Sequence, residues 1–351
     1  MKKKMADGGI FAYVSNEVSR EIFVLRLDPE SGDLTLVEKV AVTGRVMPMA
    51  VSPDRRFLYA SLRSQPFSVA SFAINPLSGR LTYLANAPLP DSMVYISTDR
   101  TGRFLFGASS IPEIRPPSSL ISVSAIGPHG FVQPAHQIVR TESKMHAILP
   151  DPSNRYVLAT SVDWDVVLRQ IFDVTTGTFS PNALPPVRVK SKAGPRHFVF
   201  HPNNRFVYLL NEHDASVYVF AYDAGAGALR EIQIASALPP DYDNEQMPHA
   251  ADLHLTPDGR FLYASERISH TLAVFKVDLA NGLLVPAGNF PTEKRPRGFN
   301  IDPYGRYLLA VGEHSHRMTA YAIDHESGHL TELKNYPMGK GPNWIEIVSL
   351  P

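Results

Sequence analysis

Apolar positions along the chain fall into short runs separated by Pro, Asp, Asn, Ser and Gly, and no 3.6-residue helical rhythm is sustained. Val, Ile, Phe and Tyr dominate the runs, as they do on pleated strands, and the intervening residues set turn dihedrals. One run enters a turn and leaves as a second run at Val51-Ser52-Pro53-Asp54-Arg55-Arg56-Phe57-Leu58-Tyr59. The pattern returns at Ile96 to Phe106, Leu149 to Leu158, Phe200 to Leu209, Leu255 to Tyr263 and Ile301 to Leu309, six hairpins in all. A second, Gly-containing turn recurs at Glu30-Ser31-Gly32-Asp33, Leu77-Ser78-Gly79-Arg80, Gly127-Pro128-His129-Gly130 and Thr175-Thr176-Gly177-Thr178. Gly225 to Leu229, Ala280 to Leu283 and Glu326 to Thr331 bring the second turns to seven.

Six first hairpins and seven second hairpins are reconciled by a closed ring. Asn343 to Val348 has the pattern of an innermost strand lacking a partner, and Phe11 to Ser15 that of a second strand lacking a first. Pairing them completes a seventh unit and leaves no exposed edge. A period of roughly 45 to 55 residues suits four strands per unit. The expected fold is therefore all-β, a seven-bladed β-propeller of four antiparallel strands per blade, its last blade closed by the N- and C-terminal strands. Residues 10–351 form this single domain and residues 1–9 a disordered N-terminal tail.

Composition narrows the class without naming a function. The 351 residues are 44% hydrophobic and 19% charged, with 34 Lys+Arg against 34 Asp+Glu, so no global basic footprint for nucleic acid exists. No cysteine is present, which excludes disulfides and thiolate metal sites. Ala6-Asp7-Gly8-Gly9 follows Lys2, Lys3 and Lys4 where a signal peptide would be apolar, and no run long enough to span a bilayer occurs. A cytoplasmic protein, monomeric or weakly homodimeric, with neither nucleic-acid nor membrane partners, is expected. WD40 dipeptides do not recur, Trp164-Asp165 standing alone, and the paired glycines of kelch blades are missing.

Candidate chemistry emerges when the hairpins are set in phase on their turn residues, Pro53, Pro152, Pro202, Pro257 and Pro303. Six positions before the turn stand His146, Arg196 and Arg297; ten after it stand Arg63, Glu212, Arg267 and Glu313. The start of one strand and the end of the next lie side by side in an antiparallel hairpin, so both positions reach one rim of the channel. Ionisable groups gathered there must pair or bind something, because burying them otherwise is costly. Lys144, Lys190, Lys192, Lys294, Arg295 and Lys340 fall in loops just before inner strands. They read either as a basic funnel for anions or as solvated lysines partly offset by Glu142, Glu293, Asp241, Asp243 and Glu245.

Met145-His146, Gly194 to Pro202, Asn211-Glu212, Asp258 to Arg267 and Arg295 to Phe299 together resemble the bacterial 6-phosphogluconolactonase family of seven-bladed propellers, which also includes the fungal carboxy-cis,cis-muconate lactonizing enzyme. The resemblance runs from about Phe11 to Trp344 and departs at residues 111–117 and at Val162-Asp163-Trp164. It implies a metal-independent enzyme without cofactor, whose catalytic His, Glu and two Arg carry over to His146, Glu212, Arg196 and Arg267. The expected reaction is hydrolysis of an anionic sugar lactone such as 6-phosphoglucono-1,5-lactone or a related aldonic or aldaric lactone. His146 would serve as general base and then acid, with the arginines holding an oxyanion or an anionic substituent. Glu212 either orients His146 or holds an arginine in an interblade pair. Arg297, His197, Arg63, Glu313 and Lys192 complete the substrate-binding set, Arg297 and Glu313 being also readable as a structural pair. Two other readings remain: lactonizing cycloisomerisation at the same site, and a non-catalytic binding platform. His197, His201, His249 and His254 match no zinc spacing and, by strand alternation, face different sides.

Overall fold

The computed structural model describes residues 8–110, 119–243 and 245–351, and residues 1–7 of the expected tail and the departure at residues 111–117 lie outside them. Seven four-stranded antiparallel units, one carrying an extra short strand, stand around a central channel. Their inner strands are Val46–Val51, Met93–Thr98, Met145–Pro150, Pro195–Phe200, Ala250–Leu255, Pro296–Ile301 and Pro342–Ser349, which number blades 1 to 7. Each inner strand packs on the next, and blade 7 meets blade 1. Among the described residues there is no helix.

Blade 7 is the closing blade. Its inner strand Pro342–Ser349 pairs antiparallel with Ile10–Asn16, followed outward by Glu21–Leu27 and Leu34–Ala41. Outside that ladder, Leu350 N–H donates to the Gly9 carbonyl at 3.0 Å. In blade 3 the outer edge is broken, Thr178–Pro181 and Val187–Arg188 both pairing with Val166–Asp173. Pro185 and Pro186 lie in the gap, where a residue without N–H costs least.

The core is distributed as seven apolar clusters, one between each pair of neighbouring blades. Every blade face is thus buried by its neighbour, and removing one blade would expose two. A repeated aromatic after the inner turn explains the seven glycine turns. Phe11 of blade 7 lies against Gly79 of blade 1, and Tyr307 of blade 6 against Gly32 of blade 7, so the device continues across the closure. Both glycines have positive φ, 69° and 76°, and a β-carbon at either would enter the facing ring. Tyr13, Tyr208 and Tyr263 add hydroxyl donors to the next blade's turn carbonyls, Gly79, Gly282 and Gly328, each at 2.9 Å. The inner turns are stapled by the residue preceding them: Asp151, for example, accepts from Arg155 and Tyr156 N–H, both at 2.9 Å.

Candidate active site

The inner strands are not regular where the phase-selected residues lie. Register shifts fall between Met145 and Ile148, Pro195 and His197, Ala250 and Leu253, and Pro296 and Gly298. A bulge breaks the alternation of side chains and can aim neighbours into one space. Arg196 and His197, consecutive in the chain, both join the channel cluster for this reason. Buried hydroxyls from second strands satisfy the backbone that the bulges release. Ala147 N–H donates to Thr160 Oγ1 at 2.9 Å, Thr160 donates to the Arg196 carbonyl at 2.6 Å, and Asp252 N–H donates to Ser265 Oγ at 3.0 Å.

Glu212, at the end of the second strand of blade 4, is the hub of the cationic groups. Its carboxylate lies 2.9 Å from Arg196 Nε, 3.3 Å from a terminal nitrogen of Arg267 and 2.7 Å from His249 Nε2. Of its two expected roles, holding arginines is therefore the one the geometry displays. Burial would raise its pKa, but the His249 hydrogen bond and the Arg196 and Arg267 charges outweigh that and hold it well below the usual carboxylate range. Each arginine side chain is only 2% exposed. Arg196 also donates to the Ala251 carbonyl, and Arg267 to the His249 and Ala250 carbonyls at 2.8 and 3.3 Å. Burial lowers their pKa values to about 10 and about 9, still cationic at neutral pH. His249 was not among the site residues expected from sequence; Glu266 anchors its backbone, accepting His249 N–H, while also accepting the N–H groups of Ile268 and Ser269 beyond Arg267.

His146 and Arg297 face this cluster uncommitted. The His146 ring is buried, its Nδ1 has no partner, and burial, then Arg196 and His197, hold its pKa well below the ordinary value. Arg297 is close enough to Arg196, Arg267, His146 and Glu313 to perturb their titration, yet it makes no hydrogen bond or ion pair with any described residue. Glu313 is instead bonded to Arg295 Nε at 3.0 Å, which corrects the reading of Arg297 and Glu313 as a pair. Burial pushes Glu313 up, but Arg297 and Arg295 draw its pKa below normal.

Two expected substrate-binding residues stand apart from these contacts. Arg63 spans blades 1 and 2, donating to Ser92 Oγ at 2.8 Å and to the Ser110 carbonyl at 3.4 Å, with Met47 Sδ at 2.9 Å. Lys192 is exposed, and the bond that places it is from its backbone N–H to Asp165. Of the basic loop residues, Lys144 lies 3.6 Å from Asp163 and Arg295 is bonded to Glu313.

Beneath the rim, Asp252 of blade 5 binds two imidazoles: His197 Nδ1 at 2.7 Å and His254 Nε2 at 3.3 Å. Alternation therefore misplaced these histidines. His197 and His254 share one carboxylate and His249 joins Glu212, while His201 alone turns away to the Gly259 carbonyl. Tyr95 and Trp344 stand edge-on to the His197 ring, at 5.1 and 5.8 Å. On the turn side of this layer a cavity of about 270 Å³ is lined by Tyr95, Arg100, Asp252, His254, Trp344 and Glu346. Burial raises the Glu346 pKa to about 7. Asp252 stands five positions before Pro257, the phase of His197 before Pro202, but the phase count selected the sixth position and passed it over. Among the described residues no group of His, Asp and Glu has the arrangement of a metal site.

The chain matches the family model described as a seven-bladed β-propeller lactonase over residues 9–347. It belongs to that lactonase family. A 6-phosphogluconolactonase of Pectobacterium carotovorum is 40% identical over 292 residues, 83% of this chain and 84% of the relative. That of Yersinia pseudotuberculosis is 39% identical over 291 residues, 83% of each chain. Among solved structures, the periplasmic gluconolactonase of Pseudomonas aeruginosa superposes with a TM-score of 0.90 at 26% identity, covering 97% of this chain and all of that one. Membership makes this propeller a carboxylic-ester hydrolase of lactones and removes the binding-platform reading. No helix among the described residues is long and apolar enough to cross a membrane.

Proposed function

We propose that this lactonase opens an anionic sugar lactone, 6-phosphoglucono-1,5-lactone or a related aldonic or aldaric lactone, with His146 as general base. The carrying observation is an uncommitted imidazole, His146, and an uncommitted guanidinium, Arg297, on the same cluster as two cations that share the single carboxylate of Glu212 and so keep a net positive charge. The names of the Pectobacterium and Yersinia relatives support a phosphorylated sugar lactone.

His146 takes a proton from water as the water oxygen attacks the lactone carbonyl. Arg196 and Arg267, each anchored through Nε and one terminal nitrogen, supply a fixed positive field for the tetrahedral oxyanion, and Arg297 contacts the substrate's anionic group. Collapse breaks the carbon–ring-oxygen bond, the departing alkoxide recovers the proton from His146, and the hydroxy acid ionises in solvent. A base must be neutral to begin this cycle, and burial beside Arg196 keeps His146 so at pH 7.

Proton release from phosphorylated, carboxylated and neutral lactones, followed with a pH indicator against the spontaneous rate, tests the reading. His146→Gln should lower kcat by roughly 10² to 10⁴ on the best substrate, the range for loss of a general base. Full activity in that variant would overturn it.

A further inference from the structure

We propose that Asp252, acting through His197, is a positioning residue for His146, so that the three form a relay ending on the reacting water. The inference rests on the assignment of His146 as base and adds to it two residues from blades 4 and 5. Asp252 Oδ1 accepts from His197 Nδ1 at 2.7 Å. An ionised carboxylate can only accept, so His197 carries its proton on Nδ1 and presents a lone pair at Nε2. That Nε2 is buried and has no partner. The facing ring supplies a complementary orphan: His146 Nδ1 is also buried and partnerless, and the ring centroids are 5.0 Å apart.

Two buried ring nitrogens left without partners are costly in the folded state. No hydrogen bond joins them in this structure; a small rotation of either ring that brought His146 Nδ1–H onto His197 Nε2 would satisfy both and set the His146 tautomer. With its proton on Nδ1, His146 keeps its lone pair on Nε2, the form a base requires. When His146 gains the water proton, the His197 lone pair and the Asp252 charge stabilise the imidazolium. No atom is transferred beyond that one proton, which returns to the leaving alkoxide.

Asp252 is itself held in place. Leu253 N–H donates to Oδ1 at 3.0 Å, Phe299 N–H lies 3.5 Å from Oδ2, and His254 Nε2 approaches Oδ2 at 3.3 Å. Tyr95 and Trp344 fix the His197 ring edge-on. Such contacts orient a catalytic imidazole much as a hydrogen-bonded carboxylate orients a metal-bound histidine. The titratable groups facing the relay are Arg196, Arg297 and Glu212 around His146, and Tyr95, His254 and Glu346 around His197 and Asp252.

Asp252→Ala removes the acceptor, whereas Asn could keep its oxygen on both His197 Nδ1 and Leu253 N–H. Without a partner at Nδ1 the His197 proton moves to Nε2, and His146 must accept at Nδ1, placing its own proton where the lone pair should be. On 6-phosphoglucono-1,5-lactone the variant should lose roughly 10² or more in kcat, with KM little changed and a rate that climbs with pH where the parent is flat. Two-bond ¹H–¹⁵N spectra should place the His197 proton on Nδ1 in the parent and on Nε2 in the variant, the signals being assigned by their loss in His197→Gln. A parent His197 protonated on Nε2 overturns the relay, whether or not the variant folds. Asp252→Ala with kcat and pH profile unchanged, while His146→Gln is inactive, overturns the relay and leaves the base assignment standing. An active His146→Gln overturns both.

Discussion

Arg297→Gln separates recognition of an anion from catalysis. Arg297 comes from the inner-strand bulge of blade 6 and has no ion-pair partner among the described residues, so its removal leaves no buried carboxylate exposed. That distinguishes it from Arg196 and Arg267, whose loss would strand Glu212. A charge-assisted hydrogen bond to a phosphate or carboxylate contributes about 1.5–3 kcal/mol. At 1.36 kcal/mol per decade this is a loss of roughly 10- to 150-fold in kcat/KM. The loss should fall on 6-phosphoglucono-1,5-lactone and spare glucono-1,5-lactone, which offers no anion. Arg297→Lys should recover part of it, since ammonium keeps the charge but not the forked donors. Initial rates of proton release on the two lactones, corrected for spontaneous opening, give the comparison. Equal losses on both substrates would refute the reasoning and move Arg297 into the common catalytic machinery; no loss on either would remove it from the site.

Glu212→Gln should destabilise the fold by about 3–5 kcal/mol in urea titration at pH 7, because two nearly inaccessible guanidiniums lose their shared carboxylate; a change under about 1 kcal/mol would show those charges to be otherwise compensated. Gly79→Ala should cost about 1–2 kcal/mol for the left-handed backbone alone, with the Phe11 clash in addition, and lower the melting temperature without altering KM; an unchanged melting temperature contradicts the packing argument. Burial, reinforced by Arg196, depresses the His197 pKa to about 4, so between pH 6.5 and 4 the unfolded chain binds a proton that the folded one refuses. Stability from this group therefore falls as the pH drops through that window, while His254, whose pKa Asp252 raises against burial, acts in the opposite sense. His197→Gln should flatten the acid side of the stability curve by roughly 3 kcal/mol relative to the parent, and parallel curves would refute it.

Ring architecture was legible in the chain because six blades repeat a stapled inner turn with an aromatic after it, and all seven carry a glycine in the outer turn. Closure was legible too, since Asn343 to Val348 and Phe11 to Ser15 each lacked a partner that the other supplied. Phase counting also located His146, Arg196, Glu212 and Arg267, because equal spacing from a turn means equal height in the ring.

Which of those groups are committed was decided only in three dimensions. Alternation assumes an unbroken ladder, and the bulges at Arg196 and Asp252 break it, bringing His197 and His254 to one carboxylate. Glu212 became the partner of two arginines and His249 from another blade, and Glu313 took Arg295, leaving Arg297 without a partner among the described residues. Periodicity along a strand fixes height and local pairing; contacts across neighbouring blades depend on side-chain reach and on where the backbone slips, which residue spacing does not encode.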